Sequence, residues 1–146
     1  MKKSLTWSRL SKVLKNSYVK LAILSVILLG GVFAFWFGVR AALRTEYPLL
    51  VVASQSMLPT LDVSDIIIVQ GTNPLDIKAT PDLEGDIIVF YKPTDWDTRI
   101  VHRAIKKEVD GDTVYFQTRG DNNLGADNWG KGPWTNDEGM ISDKLL

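Results

Sequence analysis

Arg99-Ile-Val-His-Arg-Ala-Ile-Lys-Lys-Glu-Val-Asp-Gly-Asp-Thr-Val-Tyr-Phe-Gln-Thr118 is the stretch that decides the fold class. Residues 99–106 and 113–118 are rich in β-branched and aromatic residues, and apolar positions recur at every second place, which predicts two strands. Asp110-Gly111 lies between them, and Asp-Gly is a strong hairpin signal because both residues tolerate the positive φ of a tight primed turn. Working outward, Leu49-Leu-Val-Val-Ala53 predicts a short strand, and 66–70 and 86–91 predict two more. Ile141 begins a candidate final strand. Residues 71–84 contain Pro74 and Pro81 and read as a loop. Residues 122–139, rich in Gly, Asn and Asp and holding Trp129 and Trp134, read as a long irregular surface segment. Many short strands with turns between them indicate a small all-β domain, barrel-like or a sandwich, over 48–146.

Upstream the character changes. Leu21-Ala-Ile-Leu-Ser-Val-Ile-Leu-Leu-Gly-Gly-Val-Phe-Ala-Phe-Trp-Phe-Gly-Val39 carries no charge and is long enough for one helical pass of a bilayer. It exceeds the ~7–15 apolar residues usual in a cleavable signal peptide. Trp7 and Tyr18 on one side and Phe35, Trp36 and Phe37 on the other are placed as interfacial aromatics. The spacing predicts a transmembrane helix with an interfacial extension over 21–43, and residues 40–47 continue the helix until Pro48 breaks it. Lys2, Lys3, Arg9, Lys12, Lys15 and Lys20 make residues 1–20 a basic cytoplasmic segment, amphipathic helix or disordered chain, which leaves the β domain extracytoplasmic. The chain therefore reads as a single-pass protein of the cell membrane.

Composition narrows the chemistry. A formal net charge of +0 with no basic stripe in the β domain excludes an overall nucleic-acid footprint. With no cysteine, disulfides and thiolate metal sites are excluded, and a single histidine speaks against zinc. No cofactor and no metal are implied.

The candidate site gathers around Ser54-Gln-Ser-Met-Leu-Pro-Thr60, where the first predicted strand ends. A serine hydroxyl is a poor nucleophile until a base takes its proton. Ser56 is the candidate nucleophile, held in a loop that Pro59 stiffens. Backbone N–H groups of such a loop can form an oxyanion hole, worth about 10²–10³ in rate per donor, and Ser54 is positioned to add a hydroxyl donor there. His102 is the candidate base. Period-2 alternation puts Ile100, His102 and Ala104 on one face of their strand. A carboxylate must orient the histidine, and Asp121 and Asp127 both qualify on spacing. Each feature alone also has a plain structural reading: a turn serine, a core histidine, aspartates that cap their own loop.

In order along the chain stand Ser56-Met-Leu-Pro-Thr60, Gly85-Asp-Ile-Ile-Val-Phe90, Ile100-Val-His-Arg103 and Gly120-Asp-Asn-Asn123, after one membrane helix. This arrangement resembles the type I signal peptidases, in the branch found in archaea and the endoplasmic reticulum, over about residues 50–127. The resemblance implies an all-β catalytic domain with a substrate groove beside the serine. It implies Ser56 as nucleophile, His102 as general base where bacterial relatives carry lysine, Asp127 as the residue that orients the histidine, and Asp121 as a supporting carboxylate. The implied reaction is removal of signal peptides from preproteins through an acyl-enzyme, with small residues at −1 and −3 of the substrate. The implied partners are signal-peptide-bearing preproteins, the lipid bilayer and the protein export channel.

The departures from that pattern are residues 71–81, which look like an insertion, and 128–137, which match nothing in it. Family members often continue with a further strand and sometimes a second apolar helix, whereas this chain stops at Leu145-Leu146. It reads as a fragment or as a chain whose sheet a partner completes. Two rival readings are a Ser/Lys enzyme using Lys92, Lys106 or Lys107, and a non-catalytic anchored β domain that serves as a scaffold or binds a partner.

Overall fold

The structure is a computed structural model that describes residues 16–146. Trp7, the five basic residues from Lys2 to Lys15 and the proposed N-terminal amphipathic or disordered segment lie outside the described residues. The described chain forms two compact units, divided between Ala42 and Leu43.

The first unit is built on helix α1, Ser17–Leu43, a long apolar run in which no residue is buried. Its length and composition suffice to cross a membrane. Asn16 starts it by accepting the Tyr18 amide with its side-chain oxygen, at 3.0 Å. The expected continuation through residues 40–47 is met only as far as Leu43. Helix α1 stops at Leu43 because Arg44 adopts a left-handed φ of 52°, and the freed Leu43 carbonyl accepts the Gly71 amide at 2.8 Å instead.

The second unit is a mostly β domain with two antiparallel sheets. β1 (Leu49–Val51) pairs with β2 (Ile66–Ile68) in a two-stranded sheet. β3 (Ile87–Lys92), β4 (Asp95–Asp110), β5 (Thr113–Arg119) and β6 (Ile141–Ser142) form a four-stranded sheet in that order. The Asp110-Gly111 turn is as expected, with Gly111 at φ 57° and Asp110 opposite Thr113. β4 is longer at both ends than the 99–106 segment read from sequence. It pairs with β3 up to a tight turn at Pro93-Thr94, where Lys92 lies opposite Asp95 after a register shift, and with β5 as far as the hairpin, so the strand takes in residues 95–98 and 107–110. Ile141 does begin the last strand, opposite Phe116.

Alternation builds the core. Ile88 and Phe90 of β3, Ala104 of β4, Val114 and Phe116 of β5, with Ile141 and Leu145, are buried together. Residues 71–86 have no strand and only a short 3-10 turn at Pro74–Asp76, but Ile77 is buried in that core and Lys107 binds the Leu75 and Ile77 carbonyls. The segment 122–139 is irregular as expected but is not wholly surface. Trp129 packs edge-on against Phe90 at 6.0 Å, Trp134 flanks the core, and Thr135 is buried.

Candidate active site

Two rows of core side chains end in polar groups at one end of the four-stranded sheet. On β5 the buried row runs Val114, Phe116, Thr118, and on β4 it runs Ala104, His102. The apolar members hold the strands together, and the last members of the rows, Thr118 and His102, both reach the Asp127 carboxylate.

Ser56 arrives from the other sheet. After β1 the chain leaves the ladder with Val52 buried, and Met57, 1% exposed, pins the serine loop to the domain. The loop is closed by Leu58 N–H to the Gln55 carbonyl and Leu61 N–H to the Met57 carbonyl. The end of β5 also grips it. The Asn122 amide donates to the Ser56 carbonyl at 2.8 Å, and the Asn122 side chain donates to the Gln55 carbonyl at 3.2 Å. Gly120 permits this approach, because a Cβ there would lie 2.5 Å from the Ser56 carbonyl oxygen.

The result is a hydrogen-bonded line. The Ser56 hydroxyl lies 3.1 Å from His102 Nε2, and His102 Nδ1 lies 2.5 Å from Asp127 Oδ2. A carboxylate can only accept, so Nδ1 carries the imidazole proton and Nε2 is free to accept from Ser56. His102 and Asp127 are nearly enclosed, with side chains 9% and 12% exposed, whereas Ser56 is half-buried at the surface. Ser54 Oγ is 3.2 Å from Ser56 Oγ. With Ser56 donating to His102, the Ser54 hydroxyl is left to donate to Ser56. Asp127 is held by Thr118, whose hydroxyl donates to Oδ2 at 2.7 Å and whose carbonyl accepts the Asp127 amide at 2.8 Å.

Asp121 turns elsewhere. Arg103, the next residue after His102, points to the opposite face of β4 and makes a two-pronged pair with it: Nε to Oδ1 at 2.8 Å and NH2 to Oδ2 at 2.6 Å. The remaining nitrogen of Arg103 donates to the Leu83 and Gly85 carbonyls at 2.9 and 2.6 Å. The Thr60 hydroxyl donates to Asp121 at 2.5 Å, so this pair ties β4, the end of β5, the 83–85 turn and the serine loop together. Burial opposes the charge on Asp121, but the hydrogen bonds from Arg103 and Thr60 outweigh it and hold the carboxyl below its ordinary value. The same bond from Asp121 raises the Arg103 guanidinium, against the effect of its own burial.

Of the sequence-read candidates, the structure brings Ser56, His102, Asp127 and Ser54 into one hydrogen-bonded line, and it gathers Asp121 with Arg103 and Thr60 behind them. Lys106 pairs with Glu108 and Glu138, and Lys107 binds loop carbonyls. Sequence reasoning gave no role to Thr118, Thr60 or Gly120. The available signal for Thr118 was its place in the alternating row Val114, Phe116, Thr118, where a polar residue ends an apolar face.

Comparison with known proteins bears on this geometry. The chain is 34% identical over 101 residues to a signal peptidase complex catalytic subunit SEC11 from Fusarium vanettenii, covering 69% of this chain and 56% of that protein. It is 32% identical over 112 residues to the subunit of the same name from Tuber melanosporum, covering 74% and 60%. The subunit from Lachancea thermotolerans is 33% identical over 101 residues, covering 68% and 56%. The chain thus spans little more than half the length of the curated relatives it matches. No family model and no solved structure matches it.

Proposed function

We propose that this chain, which belongs with its relatives to the endoplasmic-reticulum-like branch of the type I signal peptidases, is a membrane-anchored serine endopeptidase that removes signal peptides from preproteins. The observation that carries the reading is the line from Ser56 through His102 to Asp127 in a homologue of signal peptidase catalytic subunits.

The mechanism follows from that line. Ser56 Oγ attacks the scissile carbonyl while His102 Nε2 takes its proton. Asp127 keeps Nδ1 protonated and stabilises the imidazolium that forms. His102 then gives the proton to the leaving amine, and an acyl-enzyme remains on Ser56. The mature protein departs with that amine as its new N-terminus, and water, deprotonated by His102, then releases the signal peptide from Ser56. The Ser54 hydroxyl, freed when Ser56 Oγ bonds to carbon, is suited to donate to the oxyanion. Asp121 acts as a support that locks the serine loop to β4 through Arg103 and Thr60.

A strand-like substrate suits the sheet. β4 pairs with β5 only from Arg103 onward, so residues 99–101 have a ladder partner on the β3 side alone and offer an open edge beside His102. Small residues at −1 and −3 suit a strand laid along that edge close to Ser56. Helix α1 serves as an anchor in the cell membrane, with residues 1–20 cytoplasmic and the 48–146 domain extracytoplasmic. The lipid bilayer, the protein export channel and preproteins are the partners in this reading. Because the relatives are named as subunits of a complex, further subunits join them.

The test is cleavage of a model preprotein in lipid or detergent. Wild type should cut after a small residue and Ser56→Ala should leave the preprotein intact. Equal cleavage by both removes Ser56 from the mechanism, and no cleavage by wild type in lipid sinks the peptidase reading.

A further inference from the structure

We infer that Thr118 is a positioning residue that sets the direction of the Asp127 carboxylate and, through it, the tautomer of His102; the inference rests on the peptidase reading above. Asp127 is not placed by secondary structure. It follows residues 122–126, all exposed, of which Leu124 is entirely in solvent. A carboxylate on such a loop has several rotamers available, and its own side chain retains 12% exposure through which it can turn to water.

Thr118 removes that freedom at two points. Its carbonyl, at the end of β5, accepts the Asp127 amide at 2.8 Å, and this fixes the backbone. Its hydroxyl donates at 2.7 Å to Oδ2, the same oxygen that accepts His102 Nδ1, and this fixes the side chain. Thr118 itself cannot drift, because it is 1% exposed and continues the buried row of Val114 and Phe116. Rigidity therefore passes from the packed sheet to the loop carboxylate and on to the imidazole. A charge-assisted bond of this kind is about twice as strong as a neutral one. The Thr118 hydroxyl is hydrogen-bonded to Asp127 and not to His102 or Ser56, so it acts on them through Asp127.

The experiment compares wild type, Thr118→Val and Thr118→Ser. Valine keeps the shape and apolar packing of threonine but has no hydroxyl, and serine keeps the hydroxyl. The single histidine of the chain gives one imidazole, whose tautomer is read by ¹⁵N resonance without any turnover. In Thr118→Val the share of the Nδ1–H tautomer should fall. On a model preprotein kcat should fall about tenfold to a hundredfold, the worth of one hydrogen bond to a charged group, with KM unchanged. Thr118→Ser should restore both readouts. If valine does not fold, Thr118→Ala is read by the same resonance. An unchanged tautomer in a folded hydroxyl-free variant overturns the role, as does a serine variant that restores neither readout. A protein inactive as wild type but showing the tautomer change refutes the peptidase reading and leaves the positioning intact.

Discussion

His102 and Arg103 are neighbours on one strand, both buried, both polar, and built for opposite ends. His102 is 7% exposed and Arg103 4%. Strand alternation sends them to opposite faces of β4. On the histidine side each atom has one partner: Ser56 on Nε2 and Asp127 on Nδ1. A proton can pass between Ser56 and Nε2 in such a line, while Asp127 keeps Nδ1 protonated. On the arginine side the guanidinium makes four acceptor contacts on two segments, and it is never deprotonated. That cluster cannot do acid–base chemistry. It fixes the relative positions of the serine loop and the sheet. One strand thus supplies a mobile site and the rigid frame that keeps it in register.

The comparison breaks most readily if each neighbour is removed in turn. His102→Ala should abolish turnover, since removing a member of such a constellation costs about 10⁴ or more in kcat. It should lower the melting temperature only by the ~4–8 °C that about 1 kcal/mol of lost hydrogen bonding represents. Arg103→Met leaves Asp121 buried without its cation, a cost of about 3–5 kcal/mol. Its melting temperature should fall by more than about 10 °C. Activity would fall with it, but as lost folded protein, recoverable at low temperature. A histidine variant that melts like the arginine one would erase the distinction.

A smaller effect sharpens the frame's side. Asp121 is held below its ordinary value in the folded state, so its contribution to stability is fully present above the unfolded carboxylate value of about 4. The contribution is lost as pH falls from there through the lowered native value. Acid unfolding of wild type should therefore steepen below about pH 4, and Asp121→Asn should be less stable at neutral pH but show a shallower acid limb. Parallel limbs for the two proteins would mean that Asp121 titrates alike folded and unfolded.

Much of this architecture is legible in the chain. The β4–β5 hairpin is, because alternation and Asp110-Gly111 agree, and helix α1 is, because nothing else requires so long an uncharged run. The serine loop, His102 and the two aspartates are visible as types and as ordered boxes. What is not legible is tertiary. Arg103 meets Asp121 across 18 residues, Thr118 meets Asp127 across 9, and only folding brings the Thr60 hydroxyl to Asp121. Residues 122–139 look like surface because Gly, Asn and Asp dominate them. Yet Trp129 and Trp134 cover the core, and composition averages hide two anchoring side chains. The early end of helix α1 at Leu43 depends on the Gly71 amide, 28 residues away, which no local propensity reports.

Asp127 and Asp121 carry the central claim, because spacing cannot rank them and the two faces of β4 can. The decisive measurement is kcat and thermal unfolding of Asp127→Asn and Asp121→Asn, side by side. Asp127→Asn should lose turnover by about 10⁴, since an amide partner admits the wrong histidine tautomer, with little change in melting temperature. Asp121→Asn should melt clearly lower and lose activity in part. Near-normal kcat in Asp127→Asn beside a well-folded, inactive Asp121→Asn would contradict the account and exchange the two roles.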